Sequence, residues 1–533
     1  MFYAVFLLSQ LYELCYTIII PQISLKNKLI SKFKQQKKEK HMKNSISLFL
    51  LISALLTASL AGCSDTDSTS SATASVSTEP AAIETEPVDT GIYSRDVLPE
   101  RDFGGAEYHI MGREYAKLGD LPSYEFTTDS ENGDLINDTV YQRCSIVEEQ
   151  YNVNITCETY ATDKSAAALE TSQLAGDCAF DLVWSHIGSM GTMVQKSLLS
   201  NYYDIPHIDI TSPWWNQLAT ESLTVNGRCY LQMNYIPFTG VMLSHCLYYN
   251  KALAAQYDIS GLYEHVLDNT WTFDVFAETV KTVSSDVNGD GVYDSEDLFG
   301  LLGSHGTIGV AMGVAMDVKA LDIADDGTFA LTMASDRNQT LFDRIADLVE
   351  TDAVYMITDY ALENDLARMF AADKGLFYSG FLTDSYQFFR DMESDFGLLP
   401  FPKADDTQEH YITTITGGTG LLGIPLVLSD AEKTGLITEA LAIESYRLVY
   451  PAIYETVFED KVLRDEESSQ MFDILMQGME IDFGRTFKRS EYVDLFGELL
   501  VKGQRTLISS AEKQEKATEK HFQKIIDLYF TEE

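Results

Sequence analysis

From residue 107 onward, short apolar runs alternate with longer segments whose apolar residues recur at helical spacing. The short runs are typical of strands, and the longer pattern is typical of amphipathic helices. Such an alternation predicts βαβ units around a largely parallel sheet, and therefore an α/β fold. The expected elements are strands at Tyr108–Met111, Val153–Thr159, Phe180–Trp184 and Leu298–Leu302, and helices at Leu135–Tyr151, Ala166–Leu174 and Thr192–Leu199.

The balance of charge excludes some classes of partner. The 533 residues include 81 acidic and 38 basic side chains, which gives a formal charge of −43. A chain so acidic has no net attraction for the phosphates of nucleic acids or for an anionic membrane surface. Because 45% of the residues are apolar, the chain has enough apolar surface to fold. Its length suits two large lobes or roughly three domains of about 150 residues each.

A signal peptide is expected at residues 42–62. Met42-Lys43 precedes an apolar run at Leu48–Leu56, and small residues follow that run. The closing sequence Leu60-Ala61-Gly62-Cys63 resembles a bacterial lipobox. This resemblance implies that the thiol of Cys63 is lipidated and that Cys63 becomes the first residue of the mature protein. A transmembrane anchor is the alternative, but the apolar run is short for a bilayer core of about 30 Å.

The segments on either side of the signal are expected to lie outside the folded domain. We predict that translation starts at Met42, because residues 37–41 can be encoded by a purine-rich ribosome-binding sequence, so residues 1–41 are interpreted as an upstream extension. The alternative is a genuine membrane-anchored extension that begins with Met1–Ile20. Residues 63–94 follow the signal, and almost no large apolar side chain occurs in residues 64–90. This composition predicts a disordered, flexible tether.

Five groups of motifs occur in an order that is typical of one family. They are Phe180–Trp184 with Lys196–Tyr202, Leu247–Leu253, Trp271–Phe276, Phe396–Lys403, and Tyr454–Gly484. Together they resemble the extracellular solute-binding proteins of ABC importers (family 1), and the maltose-binding type in particular. The last group looks like the carboxy-terminal helices of the large clostridial lipoprotein members. The resemblance runs over about residues 100–530, and the shared order of the motifs makes it specific.

The resemblance implies a two-lobed periplasmic-binding-protein-like fold of type II, in which three crossovers of the chain join two α/β lobes. Lobe one would comprise residues 95–240 and 396–448, and lobe two residues 241–395 and 449–533. The first crossover would lie at Tyr235–Met242. The ligand would lie between the lobes, which would close on it by a hinge motion.

The resemblance also implies a function. The protein would be a monomeric, lipid-anchored substrate-binding subunit of an ABC importer at the outer face of a bacterial cytoplasmic membrane. It would bind a carbohydrate and deliver it to membrane permease subunits. No enzymatic activity is expected, and the motifs HExxH, GxSxG and the Walker loop do not occur in the sequence. Two other functions remain open, namely a calcium-dependent surface glycan hydrolase or lyase and a binding-only sensor or adhesin.

Ligand-contacting residues are expected at the carboxyl ends of strands, where doubly wound lobes bind their ligands. Aromatic faces can pack on the C–H surface of a sugar while polar groups bind its hydroxyls. Arg113 and Tyr115 follow the first strand, and Trp184, Ser185 and His186 follow the strand Phe180–Val183. Phe238 and Thr239 lie near the hinge. Tyr378 and Phe381 belong to a segment that resembles the family's Asn-Gly-Pro-Trp cleft segment, whose tryptophan is absent here, and Trp214 and Trp215 are further candidates.

An acidic loop follows the helix that is expected after Trp271. It matches the EF-hand spacing, with oxygen-bearing side chains at loop positions 1, 3, 5, 9 and 12 and with Gly291 at the turning position 6. Because Ca²⁺ prefers six to eight oxygen ligands, the sequence predicts a structural Ca²⁺ site; the alternative is an Asx-rich acidic turn. The predicted ligands are Asp286, Asn288, Asp290, the carbonyl of Val292, Asp294 and Asp297.

Overall fold

The computed structural model describes residues 98–114, 125–324, 326–415, 419–458, 466–487 and 490–531, and these residues belong to one compact unit. The predicted signal peptide, Cys63, the tether and Tyr115 lie outside the described residues. Within the described ranges, every helix is too short or too polar to cross a bilayer.

The first sheet has four strands. Strand β1 (Ala106–Arg113) pairs in parallel with β2 (Val153–Tyr160) and with β3 (Leu182–His186). Strand β13 (Gly420–Gly423) runs antiparallel to β3 at the edge of the sheet, so the strand order is β13-β3-β1-β2. The three parallel strands confirm the βαβ units that the sequence predicts for this region.

The helix between β1 and β2 has the bounds that the sequence predicts, Leu135–Tyr151. The side chain of Asp134 accepts a hydrogen bond from the backbone N–H of Asn137 and so caps the first turn. Asn152 ends the helix in a left-handed conformation, at φ 50°. The residues that recur at helical spacing are buried against the sheet, namely Ile136, Val140, Cys144 and Val147.

The second sheet has six strands and is mixed rather than largely parallel. The strands are β4 (His245–Asn250), β5 (Ser284–Ser285), β6 (Leu298–Ser304), β9 (Val354–Ile357), β10 (Gly375–Phe381) and β11 (Phe396–Leu399). Strands β9 and β10 run parallel to β6, whereas β4 runs antiparallel to both β10 and β11. Strand β11 begins at Phe396, the residue at which the predicted first lobe resumes, and it pairs with β4 in the second sheet. The lobe boundaries stay a prediction.

The helix predicted at Thr192–Leu199 is displaced in the structure, where it spans Ile187–Gln195. It begins early because the His186 side chain accepts a hydrogen bond from the backbone N–H of Gly188 at 3.0 Å. A Cβ atom on Gly191 would lie 2.4 Å from the carbonyl oxygen of Thr486. The glycines that weaken the helical pattern in the sequence therefore serve the cap and a close contact with a distant segment.

The helix after Trp271 spans Phe273–Lys281 and buries the predicted apolar face of Phe273, Phe276, Ala277 and Val280. Helices and short sheets of the remaining chain cover both large sheets, and the buried side chains of the two sheets form one continuous hydrophobic core. The short pairs are β7 (Leu321–Ile323) with β8 (Phe329–Leu331), and β12 (Thr413–Thr414) with β14 (Met479–Glu480). The other α-helices are Ser165–Ala175, Gln217–Leu223, Thr239–Met242, Lys251–Gln256, Leu262–Leu267, Met312–Ala315, Asp336–Val349, Glu363–Ala371, Ala431–Glu444, Tyr450–Phe458, Glu466–Gln477, Phe483–Thr486, Ser490–Val493, Leu495–Val501, Leu507–Glu512 and Glu515–Leu528.

Candidate functional site

A cavity of about 610 Å³ lies where the three parallel strands of the second sheet end. His305 directly follows β6, Tyr360 and Glu363 follow β9, and Phe381 is the last residue of β10. His245, the first residue of the antiparallel β4, lies at the same edge. Ligands of open α/β sheets bind at this edge, so the cavity is the leading candidate site. The other lining residues are Gly306, Thr307, Val310, Ala311, Thr414, Ile415, Arg485, Asp494, Gly497, Glu498, Val501 and Lys502.

One part of the wall pairs an imidazole with a phenol ring. The ring centroids of His305 and Tyr360 are 4.4 Å apart, with an angle of 43° between the ring planes. Burial lowers the pKa of His305, so its ring is neutral at pH 7 and has one nitrogen that accepts a hydrogen bond. Glu363 accepts a hydrogen bond from the hydroxyl of Ser304 at 2.9 Å, and burial raises the pKa of this carboxyl. This part of the wall therefore combines an aromatic ring with polar groups.

A second pair of rings, His245 and Phe381, has centroids 4.7 Å apart. Burial first, and the positive charge of Arg485 second, lower the pKa of His245 to about 3. The carboxylate of Asp384 holds this segment in place, because it accepts hydrogen bonds from the Phe381 backbone N–H and the Tyr378 hydroxyl, each at 2.8 Å. Burial raises the pKa of Asp384 to about 7. The ring of Phe381 is thus positioned by a buried acid that does not itself line the cavity.

A smaller cavity of about 150 Å³ adjoins the larger one and shares Thr414, Ile415 and Arg485 with it. It is lined by His186, at the carboxyl end of β3 in the first sheet, and by the neighbouring Ile187. Its remaining lining residues are Glu480, Ile481 and Asp482. The two cavities together therefore join the carboxyl end of a strand in the first sheet to those of the second sheet.

Arg485 lines both cavities and is half-buried. Its backbone N–H donates to the Asp482 side chain at 2.6 Å, which caps the short helix Phe483–Thr486. Burial raises the pKa of Asp482 to about 6. The adjacent Glu480 forms an ion pair with Lys319 at 3.1 Å. Within the described residues, the guanidinium of Arg485 itself makes no hydrogen bond and no ion pair.

The structure brings two of the predicted ligand residues to the cavities, His186 to the smaller and Phe381 to the larger. Most of the others are buried, and their binding roles stay predictions. Trp184 packs edge to face on Phe126, with centroids 5.6 Å apart. Ser185 shares a hydrogen bond with Ser165 at 2.8 Å, and Phe238 lies in the core. The backbone N–H of Thr239 donates to Glu125 at 2.7 Å, and the Tyr378 hydroxyl donates to Asp384. The side chain of Arg113 donates to Thr162 at 3.0 Å.

Trp214 and Trp215 lie in the core of the region around the first sheet, where they make a structural contact. Both indole N–H groups donate to the carboxylate of Glu439, at 2.7 Å and 3.0 Å. Burial raises the pKa of Glu439 to about 7. The two tryptophans therefore bind a buried acid of the helix Ala431–Glu444.

Sequence reasoning missed His245, His305, Tyr360 and Arg485. The rule that ligands bind after parallel strands identifies His305, which follows the predicted strand at Leu298–Leu302, and it also identifies Tyr360 once β9 is recognised. The other two have no local signal. His245 precedes an antiparallel strand, and Arg485 reaches the cavities from a segment far along the chain.

The acidic loop at residues 286–297 folds as a compact turn in which side-chain oxygens accept backbone N–H groups. Asp286 accepts from Gly289 and Gly291 at 2.7 Å and 2.8 Å, and Gly291 has φ 80°. Asp297 is buried and accepts from Val287 at 2.8 Å and from Asp294 at 3.0 Å. Across the described ranges, no three acidic, histidine or cysteine side chains converge as a metal-binding group. Calcium binding in this loop therefore requires carboxylates to turn from the backbone toward the ion.

Comparison with known proteins identifies the family. The family model of bacterial extracellular solute-binding proteins matches residues 142–440, which is more than half of the chain. The chain is also similar to UspC of Mycobacterium tuberculosis, at 12% identity and a TM-score of 0.51, over 78% of this chain and 100% of that one. No curated protein sequence matches the chain.

A second structure from the same organism, UgpB in complex with glycerophosphocholine, is similar at 14% identity and a TM-score of 0.50, over 80% of this chain and 100% of that one. These likenesses show the two-lobed α/β fold of periplasmic binding proteins. The family match makes the protein a binding protein rather than an enzyme. The chain belongs to the bacterial extracellular solute-binding proteins.

Proposed function

We propose that the protein binds a carbohydrate in the two adjoining cavities and delivers it to the permease of an ABC importer. The observation that carries this proposal is the position of the larger cavity, at the carboxyl ends of β6, β9 and β10. Residues from both sheets line the pair of cavities, so closure of the two lobes would enclose a ligand there. A cavity of about 610 Å³ is in the usual range for small-molecule sites.

The chemistry of the wall suits a sugar. Phe381 and Tyr360 supply aromatic faces for the C–H surfaces of a pyranose ring. The neutral imidazoles of His245 and His305 exchange hydrogen bonds with hydroxyl groups, and Arg485 supplies donors. A mostly polar ligand with one apolar face per ring can pack on the aromatic rings and form hydrogen bonds with the imidazoles and the guanidinium.

We also propose that a lipid on Cys63 holds the monomeric protein at the outer face of a bacterial cytoplasmic membrane. The lipobox-like sequence and the apolar run before it support this proposal. Metabolic labelling with a radioactive fatty acid would test it, with Cys63→Ser as the control variant. Label that persists in Cys63→Ser would exclude lipidation at this residue.

Carbohydrate binding is tested by calorimetric titration of the full-length chain with mono- and oligosaccharides. We expect binding at micromolar concentrations without turnover of the sugar. Tyr360→Ala should weaken binding about tenfold or more, because it removes an aromatic face from the cavity wall. Tyr203→Ala is the matched control, since Tyr203 is also exposed and does not line either cavity. Equal affinity of the two variants would contradict the assignment of the site.

We propose further that the acidic loop binds a structural Ca²⁺ ion. The spacing of Asp286, Asn288, Asp290, Asp294 and Asp297 supports this proposal, as do the positive φ angles of Gly289 and Gly291, which close the loop. Millimolar Ca²⁺ should raise the melting temperature of the wild type but not that of Asp290→Ala. The exposed acid Asp322 lies outside the loop, and Asp322→Ala should keep the calcium response. A wild-type melting temperature that does not change with Ca²⁺ would refute the site.

A further inference from the structure

The two cations that line the larger cavity differ in their partners. Lys502 forms an ion pair with Glu498 at 2.9 Å. Arg485 is half-buried, yet among the described residues its guanidinium has neither a hydrogen bond nor an ion pair. Withdrawing a cation from water without an anionic partner costs free energy, and a planar anion that accepts two parallel hydrogen bonds is the partner a guanidinium fits best. Arg485 is therefore suited to bind an anionic group of a ligand.

The charge of Arg485 acts on the rings that line the cavity. It contributes, after burial, to the lowered pKa of His245, and it opposes the rise that burial causes in the pKa of Tyr360. Both rings belong to the wall of the larger cavity. A ligand that packs on these rings is therefore within the field of the guanidinium.

The acids of the two cavities compensate that field only in part. Glu498 and Glu480 are already paired with lysines, at 2.9 Å and 3.1 Å. Burial raises the pKa of Glu363, and it raises that of Asp482 to about 6, so Asp482 is mostly ionised at pH 7 and interacts with the charge of Arg485 without a direct ion pair. Asp494 is the fifth acid on the lining.

We propose that the ligand is an anionic carbohydrate, whose carboxylate or phosphate group binds the guanidinium of Arg485 while its ring packs on Phe381 and Tyr360. This inference rests on the proposed carbohydrate-binding function and names the chemical class of the ligand. The imidazoles of His245 and His305 bind hydroxyl groups of the same molecule. Methylation of the ligand carboxylate removes its charge with little change of shape. The methyl ester should therefore lose most of the difference in affinity between the anionic sugar and its neutral counterpart.

The test is calorimetric titration of the full-length chain with galacturonic acid, its methyl ester, galactose and galactose 6-phosphate. We expect an anionic sugar to bind at least about tenfold more tightly than its neutral counterpart, which is the size of effect typical of charge-assisted hydrogen bonds. Galacturonic acid and galactose 6-phosphate separate the two possible sources of the anion. Short oligogalacturonides and their methyl esters extend the same comparison to longer ligands.

Variants of Arg485 test the assignment of the residue. Arg485→Met should lower the affinity for the acidic sugar at least about tenfold, to the level of the neutral sugar, whereas Arg485→Lys should lose less because it retains the charge without the planar fork. Lys281→Met is the matched control, since it removes one exposed positive charge that does not line either cavity, and it should change affinity less than about twofold. Far-ultraviolet circular dichroism verifies that each variant is folded.

The outcomes separate this inference from the function on which it rests. Neutral sugars that bind as tightly as anionic ones, or an Arg485→Met variant that keeps the anionic preference, would overturn the inference and leave the carbohydrate-binding function intact. Failure of every sugar, neutral and anionic, to bind the folded chain would reject both. Because the wild type alone ranks the probes, the test decides the question even if Arg485→Met does not fold.

Discussion

Replacement of Lys433 by methionine tests how the helix Ala431–Glu444 is fixed to the first sheet. Lys433 lies on the helix Ala431–Glu444, and its ammonium is 3.1 Å from the carboxylate of Asp181, which precedes β3. Both side chains are more than nine-tenths buried. The hydroxyl of Thr434 at 2.7 Å and the backbone N–H of His109 at 3.0 Å also donate to Asp181. One buried ion pair thus connects a late helix to the early strands.

The expected loss follows from what remains when the ammonium is removed. Breaking a buried ion pair from one side costs about 3–5 kcal/mol, because the other charge stays buried without its partner. Since two hydrogen bonds to Asp181 persist, we expect the lower end, about 3 kcal/mol of unfolding free energy. The double variant Asp181→Asn/Lys433→Met removes both charges. Its loss should be smaller than the sum of the single losses by about 1–3 kcal/mol.

The assay is urea unfolding followed by circular dichroism at pH 7. Lys196→Met is the matched control, because Lys196 pairs with Glu170 on the surface, where both side chains are about two-fifths exposed. The control should lose less than about 1 kcal/mol. A loss below about 1 kcal/mol in Lys433→Met, or single losses that simply add in the double variant, would refute the reasoning.

Two further predictions concern the same helix. Burial raises the pKa of Glu439 from 4.5 to about 7 in the folded state. The folded protein therefore holds this proton more tightly than the unfolded chain does. The resulting stability is lost as the pH rises from about 4.5 to 7. Urea midpoints should therefore show that the stability of the wild type relative to Glu439→Gln falls by about 3 kcal/mol across this window; a difference that does not change with pH would contradict the pKa shift. Gly435→Ala would place a Cβ atom 1.8 Å from the Pro206 carbonyl oxygen. We therefore expect this variant to lose about 1–3 kcal/mol of unfolding free energy in the same assay. A gain in stability would show that the helix can move away from Pro206.

The fold of the first sheet could be predicted because its signals are local. The helix Leu135–Tyr151 has its full apolar period, an aspartate at its start and an asparagine at its end, all within one stretch of sequence. The strands β1 and β2 are similarly marked by apolar runs on either side of it. The order of the family motifs adds the two-lobed arrangement, which periodicity alone does not give.

The candidate site was harder to predict because it depends on contacts between distant segments. Trp184, which is predicted to contact the ligand because it follows the strand Phe180–Val183, is fully buried, and its neighbour Phe126 has no recognisable signal in the sequence. Arg485 joins His245 and Phe381 at one cavity although 240 positions separate it from His245. Such long-range packing decides which polar residues face a ligand and which are structural. The mixed direction of the second sheet was missed for the same reason, since β4 pairs with β10 and β11, both distant in sequence.

The position of β13 also has a consequence for how the chain is made. β3 ends at His186, and its edge partner β13 does not begin until Gly420, so the first sheet cannot be completed until most of the chain has left the ribosome. Closing so long a loop is slow relative to forming local contacts. A chain that stays incompletely folded during synthesis can still pass through a translocation channel, which suits a member of an extracellular protein family. The late edge strand would therefore delay formation of the native fold until the chain has reached the compartment in which it binds its ligand.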